Sequence, residues 1–149
     1  MANRSEPPNI VELIDGASIE EWDRKWELVP NGFRLLQSQL RHEVGIFAAK
    51  RGKEVMYVGS ASQATNGGLR AGLGRGRLKN QTNNSSHGMS MVRKNRDRVE
   101  AYVIRFDNPK SRLDDILQLK FAMIGHHLPV WNAPNDIVAA ATKGYYTKK

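Results

Sequence analysis

Val44-Gly45-Ile46-Phe47-Ala48-Ala49-Lys50-Arg51-Gly52-Lys53-Glu54-Val55-Met56-Tyr57-Val58-Gly59 reads as two short strands joined by a tight basic turn. Val44, Ile46 and Ala48 alternate with Phe47 and Ala49, the period-2 pattern of a strand with two distinct faces. Arg51-Gly52-Lys53 puts a glycine where a hairpin needs positive φ. Val55 to Val58 then return along the first strand, and Gly59 is expected to end the second. Phe47 and Tyr57 are ten residues apart, and a hairpin this short can stand them close together on the sheet. An ordinary amphipathic hairpin has the same pattern.

Outward from the hairpin, a chain of 149 residues suits one domain with an additional arm. It contains no cysteine, so disulfides and thiolate metal sites are excluded. No apolar run approaches the ~18–20 residues of a membrane span, and the N-terminus lacks a signal-peptide apolar region. The expectation is a soluble, cytoplasmic protein with no membrane partner. Net charge is +8. Residues 70–98 hold Arg70, Arg75, Arg77, Lys79, Arg93, Lys94, Arg96 and Arg98 against a single acid, Asp97. Nearly the whole excess therefore lies in one fifth of the chain, the electrostatic footprint of a phosphate-backbone partner. A solvated basic face kept for solubility is the plainer alternative.

Toward the N-terminus, residues 1–17 carry Pro7-Pro8 and read as a loose start. Ser18 and Glu21 fit a capping box. A helix of about ten residues is expected to follow and end before Pro30. Ile19, Trp22 and Trp26 share one face of it, either as a stacking surface or as an arm packed on the core. Residues 33–43 suit helix and strand equally. Toward the C-terminus, Ser60 to Gly88 is rich in Gly, Asn, Ser and Gln, which predicts loops with one short helix at most. Its glycines do not form a Walker phosphate loop. They are expected to let backbone amides and arginines approach phosphates closely. Asn80 to His87 is expected to be mobile, and Met89 to Lys94 to form a brief helical turn. Val99 to Phe106 reads as a central strand with both faces covered. Asn108-Pro109 breaks it.

The longest helix is expected from Arg112 to His127, with Ser111 as a candidate cap. Leu113, Ile116, Leu117, Lys120, Met123, Ile124 and His127 make one stripe along it. Lys120 sits inside that stripe, where an unpaired ammonium is costly. Either its stem snorkels outward or the face lines a polar site. Leu128 to Asn132 ends the helix, and a short helix is expected from Asp136 to Thr142 before a basic tail.

Gly45-Ile46-Phe47, Tyr57-Val58-Gly59-Ser60, the arginine-rich segment, a further strand, and a helix closing in Pro129-Val130-Trp131-Asn132 together resemble the GIY-YIG nuclease domain. The family includes homing, restriction and excision-repair endonucleases. The resemblance covers roughly residues 43–135, leaving an N-terminal arm (1–42) and a basic tail (136–149). It implies an α/β (α+β) fold, a small three-stranded antiparallel sheet flanked by helices. It also implies hydrolysis of a DNA phosphodiester with one divalent metal, Mg²⁺ or Mn²⁺, held by a helix carboxylate. The metal acts as a Lewis acid, and cationic side chains offset charge developing on the phosphorane.

Carried over position by position, Tyr57 matches the second motif tyrosine, and Phe47 stands where the first motif has tyrosine. The catalytic arginine matches Arg70 by distance from Tyr57. Arg77, opening Arg77-Leu78-Lys79-Asn80-Gln81, matches it by local text, with Gln81 in a histidine slot. Arg75 is a third choice. Asn132 matches the terminal asparagine. Lys120 falls in the slot of the metal-binding glutamate, so no metal ligand is expected in this sequence. Asp114 and Asp115 lie roughly 120–140° away around the helix.

Three explanations compete. The chain is an enzyme inactivated by a Glu-to-Lys change, a pseudo-nuclease that binds DNA without cutting, or an enzyme whose metal is held by Glu43, Glu54 or Glu100. The expected partner is double-stranded DNA, contacted through Arg70, Arg75, Arg77, Lys79, Arg93, Lys94 and Arg96, by a monomer or homodimer. A plain interaction domain using Trp22, Trp26, Tyr145 and Tyr146 is the alternative outside nucleic-acid chemistry.

Overall fold

The hairpin pairs β2 (Gly45–Arg51) with β3 (Glu54–Ala61) in the computed structural model, which describes residues 13–61, 67–77, 87–106 and 113–143. Gly52 takes φ +61° in the turn, as expected. Ala49 pairs with Tyr57 but Lys50 with Val55, so Met56 is an extra residue that bulges from β3. The second strand also runs two residues past Gly59.

Among the described residues the fold is α+β, with one antiparallel sheet of four strands in the order β1 (Glu27–Val29), β4 (Glu100–Arg105), β2, β3. The expected central strand is β4 (Glu100–Arg105), between β1 and β2. The strand beyond the expected three is β1 (Glu27–Val29), which falls where a continued helix was anticipated. The capping box forms in both directions. The Glu21 N–H donates to Ser18 Oγ at 3.1 Å, and the Ser18 N–H to Glu21 Oε1 at 2.8 Å. That helix, α1 (Ile19–Asp23), nevertheless stops after five residues. Glu27, Leu28 and Val29 pair instead with Val103, Tyr102 and Ala101. The Arg105 guanidinium adds two bonds to the Glu27 carboxylate, at 2.9 and 3.1 Å. A partner more than seventy residues away overrides the local preference.

Strand alternation sorts the core into two layers. Ile46, Ala48, Val58 and Ile104 face α4 (Leu113–His127), which buries Ile116, Leu119, Ala122, Met123 and Ile124 against them. Phe47, Ala49, Ala101 and Val103 face the other way, onto Leu69 and Leu73 of α2 (Gly68–Arg77) and Met89 and Val92 of α3 (His87–Lys94). The start of the arm and the tail join the α4 layer, through Ile14, Trp22 and, from α5 (Pro134–Thr142), Ala140, while Val29, Phe33 and Leu40 of the arm join the other layer. Trp22 stacks on Phe106 with ring centres 5.2 Å apart and donates Nε1–H to the Ile14 carbonyl at 2.7 Å. It is an arm residue packed on the core, not a stacking platform. Residues 33–43 are mostly turns, with one 3₁₀ turn at Ser38–Leu40.

The described part of the glycine-rich segment is more helical than its composition suggests, since the one short helix allowed there, α2, runs ten residues with four glycines in it. Close packing explains at least one of them. A Cβ on Gly72 would come within 2.9 Å of the Phe47 ring, and one on Gly59, across the hairpin, within 2.5 Å. Phe47 is fully buried between them. Helix propensity is given up here so that a ring can lie against backbone. His87 opens α3, while 78–86 and the Ser111 cap lie outside the described residues.

Gly59→Ala should therefore cost about 1–3 kcal/mol of stability by overpacking, read from urea denaturation. Part of that loss should return when Phe47→Leu is added, because the smaller side chain vacates the space the new methyl needs.

Candidate nucleic-acid interface

The sheet face toward α2 and α3 carries Phe47 and Tyr57, their ring centres 6.2 Å apart and tilted by 41°. The two rings differ in access. Phe47 is sealed in the core, whereas Tyr57 is half-buried, its ring against the α carbon of Gly88 on α3. Arg70 is half-buried on α2, next to the buried Leu69. Its guanidinium turns back toward the helix start, where a Cβ on Gly67 would be 3.3 Å from Nη2. Phe47, Tyr57 and the helix bearing Arg70 thus share one layer. The backbone of Arg75 and Arg77 continues α2, while Lys79, Gln81, Tyr145 and Tyr146 fall outside the described residues.

Asn132 is committed to the backbone. Its Oδ1 accepts from the Val58 N–H at 2.9 Å, and its Nδ2 donates to the Val58 carbonyl at 3.0 Å and to Asp136 Oδ2 at 3.3 Å. The Trp131 N–H donates to the carbonyl of the bulged Met56 at 2.9 Å. Since β3 lies at the end of the sheet order, these bonds satisfy edge groups that no strand reaches.

Lys120 belongs to the opposite layer. The buried face of α4 is centred nearer Leu119 and Met123 than the expected stripe, which leaves Lys120 half-buried at its margin. Its Nζ lies 4.8 Å from the centre of the Phe121 ring, which Lys143 also approaches at 5.5 Å. This is the snorkelled arrangement: an apolar stem and a cation over an aromatic face. An ammonium has no lone pair for Mg²⁺ or Mn²⁺ and repels it, so this position does not fit the family's cation. Glu54 is exposed beside Arg51, and Glu100 is exposed and accepts from the Tyr102 hydroxyl. Glu43 lies at the start of α2, its carbonyl accepting from the Leu69 N–H. Among the described residues none of these three acids joins a group of three possible metal ligands.

Three cations of the basic segment, Arg93, Lys94 and Arg96, gather at the end of α3. Ser90, Arg93, Lys94 and Arg96 line a concavity of about 280 Å³. Hydrogen bonds to helix carbonyls hold its rim. Arg96 Nη1 donates to the Arg93 carbonyl at 3.3 Å, and Asn95 Nδ2 to the Met91 carbonyl at 2.8 Å. Cations at a helix C-terminus also meet the favourable end of its dipole. Ser90 carries no charge and escaped the sequence reading.

A second cluster escaped it too. Asp23, at the end of α1, meets His126 and His127, the last two residues of α4. The adjacent histidines were visible in the sequence, but nothing there announced a carboxylate from about a hundred residues earlier. Burial alone would raise the Asp23 carboxyl. Hydrogen bonds from His127 and Trp26, with the charge of both imidazoles, hold it below its ordinary range. No protein-family model, curated protein or solved structure matches this chain. No helix among the described residues is long and apolar enough to cross a membrane.

Replacing Asn132 with alanine should cost roughly 2–5 kcal/mol, because it strands a buried N–H and C=O at once. In urea the midpoint should fall while the denaturant slope stays unchanged.

Proposed function

We propose that this chain is a double-stranded-DNA-binding domain of GIY-YIG type that grips the phosphate backbone without cutting it. The observation that carries the reading is the concavity formed by Ser90, Arg93, Lys94 and Arg96, within the segment that holds nearly all the net positive charge. A hydroxyl and three cations around one hollow suit a phosphate group, and such contacts position a protein on a duplex whatever its sequence. Arg70 and Tyr57, half-buried on the same side of the sheet, extend the surface.

Two observations favour binding over cleavage. The ring at the first motif position is inside the core and has no hydroxyl. The side chain in the metal-binding slot is a cation, set on the helix across the sheet from Tyr57. An in-line hydrolysis would have no Lewis acid held at position 120.

Duplex binding should weaken steeply with salt, by about 0.9 in log K per log salt for each phosphate neutralised. Arg93→Ala and Lys94→Ala should each reduce that slope by about 1. Affinity that ignores salt would contradict the reading. Plasmid should remain uncut with Mg²⁺ or Mn²⁺, both by this sequence and by Lys120→Glu. Nicking by the glutamate form alone would instead identify an inactivated nuclease, and nicking by the lysine form would overturn the assignment of position 120.

A further inference from the structure

The geometry points to a binding site for a divalent transition metal of the Zn²⁺ class, formed by Asp23, His126 and His127, where the ion clasps the N-terminal helix to the end of α4. This inference is independent of the DNA-binding reading. It uses the other layer of the fold and none of the same residues.

The cluster brings one carboxylate between two imidazoles. Asp23 Oδ1 is 2.7 Å from His127 Nε2, and Asp23 Oδ2 is 3.8 Å from His126 Nε2. The imidazole centres are 4.8 Å apart and the rings nearly perpendicular, at 84°. One ligand atom from each residue lies within 4.8 Å of the others. Three atoms bound at ~2.0–2.1 Å to one tetrahedral ion are about 3.4 Å apart. The Asp23–His127 separation of 2.7 Å is shorter than that value and the Asp23–His126 separation of 3.8 Å is longer, and the two imidazoles face different oxygens of the carboxylate, so binding one ion needs the carboxylate to turn and both imidazoles to adjust by less than an ångström. Zinc would replace the direct Asp23–His127 hydrogen bond with two bonds to the metal.

The donor set selects the ion. Two imidazole nitrogens and one carboxylate suit Zn²⁺, Co²⁺ or Ni²⁺, whereas Mg²⁺ and Ca²⁺ prefer oxygen throughout. The surroundings resemble a supported site. Trp26 Nε1 donates to Asp23 Oδ1 at 2.9 Å, a fixed donor that orients the carboxylate from behind. All three side chains are partly buried, at 21–28 % exposure, which restrains them while leaving access to an ion. Three protein ligands leave at least one coordination position for water.

The position of the cluster gives the metal a structural task. α1 has only five residues and would be marginal alone. Asp23 is its last residue, and the histidines end α4 just before Leu128, which turns the chain at φ +49°. One ion at this junction fastens two helix ends that are about a hundred residues apart in sequence.

Co²⁺ is the direct probe, because its visible absorption reports a low-symmetry nitrogen–oxygen site. The full-length protein should take up one equivalent with bands in the visible. His126→Ala/His127→Ala should abolish the spectrum. His42→Ala/His87→Ala, which removes the other two histidines of the chain, should keep it. Asp23→Asn should weaken binding by more than the ~10–100-fold that follows loss of a supporting group, and Trp26→Phe by about tenfold. Independently of any variant, Zn²⁺ added to the unaltered protein should shift the imidazole resonances of His126 and His127, not those of His42 and His87, and raise the melting temperature. If no equivalent binds, or if uptake survives the double histidine variant, the cluster is an Asp–His hydrogen bond alone and the proposal fails. Zn²⁺ shifts confined to His42 or His87 would also overturn it.

Discussion

The exposed edge of β3 is the constraint on which the architecture turns. β3 pairs with β2 on one side only, and α helices cover both faces of the hairpin, so the free edge lies close to the core. The Asn132 amide supplies Val58 with both an acceptor and a donor, as a neighbouring strand would. The Trp131 N–H donates to the carbonyl of the bulged Met56, and its indole lies in the core layer beneath α2 and α3. The chain therefore crosses from the α4 layer to the opposite layer along this edge, and the crossing is pinned by polar bonds that are costly to leave unmade.

The same two-layer arrangement divides the residues that the family resemblance groups together. Phe47, Tyr57 and the helix bearing Arg70 are on one side of the sheet, while Lys120 comes from α4 on the other. Each has a local physical reason for its state. Phe47 fills a slot that two glycines leave open, and Lys120 rests its charge over Phe121. Neither arrangement calls on a metal or a reacting phosphate. The electrostatic features lie elsewhere, at the end of α3.

Much of the fold was legible in the sequence where the signal is local and strong. The hairpin, β4 with both faces covered and α4 follow from hydrophobic periodicity, and α5 begins at Pro134, two residues before the expected Asp136. What was missed depends on partners far along the chain. β1 exists because β4 offers an unpaired edge and Arg105 meets Glu27, which no nearby residue foretells. α2 was expected as one short helix at most, because its glycines were counted against a helix. Gly72 is instead the space that Phe47 occupies. The phase of α4 was ambiguous since Leu119, Phe121 and Ala122 are apolar as well. Several faces were candidates, and packing selected the one centred near Leu119 and Met123. The Asp23 cluster was hidden for the same reason as β1.

Chemical-shift mapping tests most directly whether the end of α3 receives a phosphate partner. A short duplex added at low salt to isotopically labelled protein should perturb the amides of Ser90, Arg93, Lys94 and Arg96, with weaker changes at Arg70 and Tyr57, and leave Gln118 and Val138 on the far layer unmoved. Shifts centred on α4 and α5, or none on α3 at a DNA excess, would contradict the account.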